Sequence, residues 1–176
     1  MTASHPKNVL NFCPKCGDKA FNYDGSRSFK CAKCGFHFFI NSAAAVAAVI
    51  VNERGEVLLT TRAFDPCKGM LDLPGGFVDP METAEEAVCR EIKEELNLDV
   101  VKTSYLVSFP NEYVFSGYSV YTCDLAFVCE AKSFDNMHVQ DDISDFAFYP
   151  KESINYEDVS SESIQDIIRF YFRERS

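Results

Sequence analysis

The chain has 176 residues, 47% of them hydrophobic and 14% aromatic, which suits one packed domain with a small appendage and excludes disorder as the default. Its formal net charge of −10 is divided unevenly: residues 1–40 carry six Lys/Arg against two Asp/Glu, residues 41–176 eleven against twenty-five. An acidic main domain repels a phosphate backbone, which argues against non-specific nucleic-acid binding as the main function. The opening Met1-Thr2-Ala3-Ser4-His5-Pro6 lacks the charged, apolar, small-residue order of a secretory signal. The longest apolar run, Ala43 to Val51, is half the roughly 18–20 residues of a membrane span. A cytoplasmic protein without membrane contact is therefore expected.

Four of the eight cysteines form two knuckles, Cys13-Pro14-Lys15-Cys16 and Cys31-Ala32-Lys33-Cys34, each followed by glycine and separated by fourteen residues. Two CxxC pairs supply four thiolates that can converge on one Zn²⁺, and a glycine after each pair permits the tight turn this requires. A redox role would call for a lone CxxC in a thioredoxin-like pattern. Between the pairs, Phe21 to Lys30 reads as a hairpin turning at Asp24-Gly25. About forty residues cannot bury enough surface to fold unaided, so the metal supplies the missing stability. Residues 1–40 thus read as a zinc ribbon with a structural or dimer-forming duty, in preference to RNA contact. Cys67, Cys89, Cys123 and Cys129 are scattered and read as reduced packing residues.

From residue 41 the pattern changes. Ala43 to Val51 reads as a buried strand, Asn52 to Gly55 as a turn and Glu56 to Arg62 as a second strand. A Gly75-Gly76 turn leads to a helix ending near Leu96, with Ala84, Val88, Ile92 and Leu96 as its apolar stripe. Glu91, Glu94 and Glu95 stand at i, i+3 and i+4, so their carboxylates are expected to project together, with Arg90 pairing to Glu94 or Glu86. Solvated helices also carry such clusters; the upstream glycines are what set this one apart.

Written out, the segment is Gly76, five residues, Glu82, seven residues, then Arg90-Glu91-Ile92-Lys93-Glu94-Glu95-Leu96-Asn97-Leu98. This string resembles the Nudix box at every specified position except Asn97, where the family has glycine. The position follows the helix, and Asn tolerates the left-handed conformation next best after Gly. The resemblance implies an α/β/α sandwich with a mixed sheet over residues 41–176. It also implies Mg²⁺ or Mn²⁺ held by Glu91, Glu94, Glu95 and the Gly75 carbonyl, with Arg90 and Glu82 orienting the ligands. The base would be a helix glutamate or an acid of the Asp141-Asp142 loop. Hard oxygen ligands suit such a cation.

A ribbon ahead of the box is similar to the NADH pyrophosphatase group and related hydrolases of ADP-ribose or flavin dinucleotide. That group carries Ser-Gln-Pro-Trp-Pro-Phe-Pro-any-Ser after the box. Here Ser108 to Ser116 keeps Ser108, Pro110 and Ser116, with Tyr113 for phenylalanine and Asn111 for tryptophan. Phe109 and Tyr113 are candidates for stacking on a base, with Phe109 equally readable as a strand's core residue, and Arg62 is a candidate phosphate contact. Tyr118 to Glu130 reads as a strand broken near Cys123-Asp124, Phe146 to Tyr149 as a short strand and Ser161 to Glu174 as a closing helix. The leading expectation is an enzyme that hydrolyses the diphosphate of a small nucleotide derivative such as NADH, ADP-ribose or FAD, with a homodimer allowed. The rivals are a non-catalytic nucleotide-sensing module and, further back, a hydrolase of capped RNA docked by the ribbon.

Overall fold

The computed structural model describes residues 2–174. They form two compact units, residues 2–43 with 112–121, and residues 44–111 with 122–174. The first takes in a segment far downstream of the expected boundary at residues 40–42.

In the first unit, β1 (Phe21–Tyr23), β2 (Ser28–Cys31) and β3 (His37–Phe39) make an antiparallel sheet, with Phe21 opposite Cys31 and Ser28 opposite Phe39. The hairpin turns where expected. Asp24 accepts the amides of Ser26, Arg27 and Ser28 at 2.8–3.0 Å, and Gly25 takes φ +88°. Its core is small: Cys13, Phe21, Phe29 and Cys31 are buried, with the two phenyl rings stacked at 4.9 Å. A one-turn helix, α1 (Pro6–Val9), precedes it. Ser4 accepts the Ser119 amide at 2.8 Å and the Ser119 hydroxyl at 2.8 Å, holding the N-terminal segment to the hairpin tip 112–121.

The second unit is layered. Around β4 (Ala43–Ile50) lie β7 (Gly75–Phe77), β9 (Tyr118–Ala131) and β8 (Val100–Phe115) in the order β7-β4-β9-β8. A second sheet runs β10 (Ile143–Tyr149), β5 (Val57–Arg62), β6 (Leu71–Asp72). Because side chains alternate along a strand, β4 serves two cores at once. Val46, Ala48 and Ile50 pack with Val88, Ile92 and Leu96 of α2 (Ala84–Leu96). Ala47 and Val49 pack with Ile164, Ile167, Ile168 and Tyr171 of α3 (Glu162–Arg173). One helix on each face is the α/β/α sandwich with a mixed sheet.

Thr83 caps α2 in a reciprocal box with Glu86, satisfying two end donors, and Asn97 closes it in the left-handed conformation at φ 53°. Two sequence expectations, on β9 and β10, need correction. β9 runs unbroken through Cys123-Asp124, because Asp124 accepts the Thr122 hydroxyl at 2.6 Å and the Ser163 hydroxyl of α3, so its buried carboxylate is satisfied in place. β8 spans sixteen residues, since sheet pairing overrides a sequence without clean alternation. β10 begins at Ile143 and is bulged before Asp145.

Candidate active site

The site is assembled where β7 meets α2. Gly75 and Gly76 pair with Ala47 and Val46 of β4, and neither could carry a side chain as placed. A Cβ on Gly75, whose φ is +150°, would lie 2.0 Å from the Val46 carbonyl oxygen. One on Gly76 would lie 2.5 Å from Glu91 Oε1. The glycines therefore let the strand and the helix carboxylates approach to contact distance.

The three glutamates are divided by depth. Glu95 is only 6% exposed, and its Oε2 accepts the Gly75 amide at 3.2 Å. The Glu91 side chain is 14% exposed and that of Glu94 47%. They differ in depth along one side of the helix: Glu95 lies against the strand, Glu91 at the seam and Glu94 toward solvent, with Arg90 Nη1 bridging the outer two. Among the described residues, the only cluster of metal-ligating side chains with ligand atoms within 4.8 Å of one another is the four cysteines.

Arg90 ties the carboxylates into a network. Its Nε and Nη2 fork onto Glu82 Oε1 and Oε2 at 2.8 Å each, and Nη2 also reaches the Phe77 carbonyl at 3.1 Å. Nη1 donates to Glu91 Oε1 at 2.8 Å and Glu94 Oε2 at 3.0 Å. The expected alternative partner, Glu86, is instead committed to the helix cap. The guanidinium draws the Glu82 carboxyl down to about 2, aided by the Asp79 amide. Burial acts the other way on the inner pair. It raises Glu91 against the pull of Arg90, with Glu94 and Asp141 adding repulsion. It pushes Glu95 up to about 9, with Glu91, Asp72 and Asp142 adding repulsion that the Gly75 amide offsets only in part. A buried carboxyl facing several others is stabilised as an anion by a cation, and these oxygen donors suit a hard divalent one.

Asp141 and Asp142 lie in a loop fastened to the end of α2. The Gln140 amide donates to the Glu95 carbonyl at 2.9 Å and the Asn97 side chain to the Asn136 carbonyl at 3.2 Å. The substrate candidates fare differently. Arg62 is bound to Asp72 Oδ2 at 3.0 Å and to the Pro66 carbonyl at 2.9 Å, so the strand-end guanidinium is already engaged. Phe109 packs against the second core, as a residue on the inner face of β8. Tyr113 lies in the first unit, stacked on Phe115 at 6.2 Å. The residue that sequence reasoning missed is Asp72, whose Oδ2 also accepts the Ser160 hydroxyl at 2.9 Å and whose Oδ1 accepts the Leu73 amide at 2.9 Å. A single acid in a two-residue strand leaves no periodic signal.

In the first unit the four thiols meet. Cys13 and Cys34 Sγ are 3.7 Å apart, as are Cys16 and Cys31. Zn–S bonds of about 2.3 Å in a tetrahedron put sulfurs about 3.8 Å apart, far beyond a disulfide's ~2.05 Å. The Cys34 amide draws the Cys31 thiol down to about 7. At Cys16 the Asp18 amide is outweighed by hydrogen bonds within the cluster, which push that thiol up to about 12, so the thiols share protons that a bound metal would displace.

The fold, the box and the glycine turn define a class, and the chain belongs to it: the NUDIX domain model matches residues 41–167. Among relatives, the chain is 24% identical over 169 residues to the NAD-capped RNA hydrolase NudC of Pseudomonas aeruginosa, covering 94% of this chain and 56% of that one. It is 46% identical over 63 residues to the ADP-ribose pyrophosphatase of Methanocaldococcus jannaschii, covering 36% and 37%. The chain spans about half the length or less of these curated relatives. By structure it is similar to a NUDIX hydrolase from Nitrosomonas europaea, with TM-score 0.70 at 23% identity over 94% and 92% of the two chains. It is also similar to the NUDIX domain of Shewanella oneidensis NrtR complexed with ADP ribose, with TM-score 0.64 at 20% identity over 78% and 91%. No helix among the described residues is long and apolar enough to cross a membrane.

Proposed function

We propose that this chain hydrolyses the diphosphate linkage of a nucleoside diphosphate derivative, with Mg²⁺ or Mn²⁺ held by Glu91, Glu94, Glu95 and the Gly75 carbonyl. The observation that carries the reading is the buried Glu95 carboxyl at the glycine turn, crowded by Glu91, Asp72 and Asp142 and raised to about 9. Such a cluster is destabilising unless a cation is shared among its members. Bound there, the cation supplies charge neutralisation at the diphosphate and activation of a water. Arg90 keeps Glu91 and Glu94 in place through Glu82 and acts as a positioning residue. Glu94, the most exposed of the three, and the adjoining Asp141-Asp142 loop are the candidates to take the water's proton.

The substrate class rests on the relatives. NADH, ADP-ribose and FAD contain this linkage, and so does an NAD cap on RNA, which the name of the NudC relative brings to the panel. A cytoplasmic location, a purely structural zinc in the ribbon and a homodimer belong to the same reading. The test is product release from ADP-ribose, NADH, NAD⁺, FAD, diadenosine compounds, nucleoside triphosphates and NAD-capped RNA, with Mg²⁺ and with Mn²⁺. Turnover of one or two names the substrate. Silence across the panel from folded, zinc-loaded protein, together with ADP-ribose binding, replaces the reading by the nucleotide-sensing module.

A further inference from the structure

The first unit contains a cavity of about 260 Å³ whose lining no part of the hydrolytic site uses. Its wall comes from His5 ahead of α1, Ser26 and Arg27 in the hairpin turn, Asn41 and Ser42 after β3, and Tyr121 on β9. These segments are fixed. The Ile40 amide donates to the Arg27 carbonyl at 2.8 Å, Asp24 accepts the Ser26 and Arg27 amides, and the Ser4–Ser119 pair keeps His5 beside Tyr121.

The wall is part apolar, with Ile40 among its residues, and its polar side chains are mainly donors. Arg27 makes no ion pair among the described residues. The Lys7 amide donates to His5 Nδ1 at 3.1 Å, which leaves the neutral ring's proton on Nε2. The hydroxyls of Ser42 and Tyr121 and the Asn41 amide enter no hydrogen bond within the described residues. No carboxylate is among the lining side chains; Asp24 stands behind the hairpin turn with its charge taken up by the Ser26, Arg27 and Ser28 amides, and Glu112 adds repulsion at Tyr121. Guanidinium, imidazole N–H and hydroxyls around a concave space match the oxygens of a phosphate. The volume is slightly below the ~300 Å³ lower bound of drug-sized sites, enough to seat a sugar phosphate or one phosphorylated end of a longer ligand.

We infer that this cavity binds a phosphate monoester of sugar-phosphate size, with Arg27 gripping the phosphate and Tyr121, His5 and Asn41 reading the oxygens around it. The monoester can be a free sugar phosphate or the 5′-phosphate of an RNA end; the chemistry at Arg27 is the same. Calorimetric titration of the full, zinc-loaded chain with ribose 5-phosphate, without added Mg²⁺ or Mn²⁺, tests it. Ribose and a 5′-phosphorylated tetranucleotide are the comparison arms. Saturable binding of ribose 5-phosphate but not ribose is expected, weakened at least tenfold in Arg27→Gln. Asn41→Asp, an isosteric change at an exposed position, should abolish it by setting a carboxylate against the phosphate. Glu94→Gln, in the other unit, should leave it unchanged, which separates this site from the hydrolytic one. Tighter binding of the tetranucleotide than of ribose 5-phosphate assigns the cavity to RNA ends. Equal binding of ribose, or full affinity in both Arg27→Gln and Asn41→Asp with native zinc content, overturns the inference.

Discussion

Adding one methyl group at Gly76 and, separately, at Gly75 perturbs two neighbouring residues in opposite ways. At Gly76 the new Cβ meets Glu91 Oε1 at 2.5 Å, Cδ at 2.7 Å and Oε2 at 2.9 Å, all at the far end of a flexible side chain. The carboxylate must retreat by about an ångström, which costs the fold little, within the ~1 kcal/mol of a rotamer change. The reaction feels it more, because a misplacement of about 1 Å at a reacting centre costs on the order of 100-fold. At Gly75 the Cβ meets the Val46 carbonyl oxygen at 2.0 Å and the Ala47 Cα at 3.1 Å, and the backbone sits at φ +150°. Neither the strand nor the dihedral can yield cheaply, so strain of about 1–3 kcal/mol adds to overpacking of about 1–3 kcal/mol. For a chain of this size that lowers the melting temperature by about 4–24 °C. Thermal denaturation and turnover of the best panel substrate, measured on both variants, separate the effects. Gly76→Ala should melt within a few degrees of the wild type yet lose most turnover, while Gly75→Ala should melt far lower. Native melting in Gly75→Ala, or full turnover in Gly76→Ala, would refute the close approach of strand and helix.

Other perturbations follow from the same contacts. Glu95 has a folded-state pKa of about 9 against an ordinary 4.5, so the stability its neutral form contributes is lost as pH rises through that interval. Metal-free protein should melt progressively lower from about pH 5 to 9, and the gain on adding Mn²⁺ should grow over the same range; Glu95→Gln should flatten both trends, and a pH-independent Mn²⁺ shift in wild type counts against shared carboxylates. Arg90→Lys keeps the charge but loses the fork onto Glu82, so turnover should fall at least tenfold with little change in melting; wild-type turnover would show that the network positions nothing. Cys31→Ser should drop zinc content from near stoichiometric to well below half and expose the hairpin to proteolysis, whereas full zinc retention would remove Cys31 from the ligand set. Asn97→Gly relieves the left-handed backbone but deletes the bond to the Asn136 carbonyl, so stability should change by less than about 1 kcal/mol while hydrogen exchange quickens at His138 and Gln140. Unchanged exchange would show that the side chain does not hold the loop.

Much of the scaffold, and the four-cysteine cluster, could be read without coordinates because it is local. Four cysteines in two turns, a helix stripe repeating every four residues and a left-handed Asn97 are each decided by neighbours a few positions away. The glycine turn and the glutamates were legible as a string for the same reason. What the string could not supply was depth: that Glu95 lies under the Gly75 amide, that Glu94 faces water, and that Arg90 forks onto Glu82 eight residues back. Depth depends on what β4 and β7 place against the helix. Arg62 and Phe109 show the same limit, since an arginine ending a strand and an aromatic within one look alike whether they meet a ligand, an aspartate or the core. The long reach of β8 and the continuity of β9 across Asp124 were also beyond the sequence, because strand pairing and a satisfied buried carboxylate are contacts between distant segments. Sequence determined which residues could do the chemistry; tertiary packing decided which are buried, which are already engaged and which face each other, because desolvation and hydrogen bonding act through space.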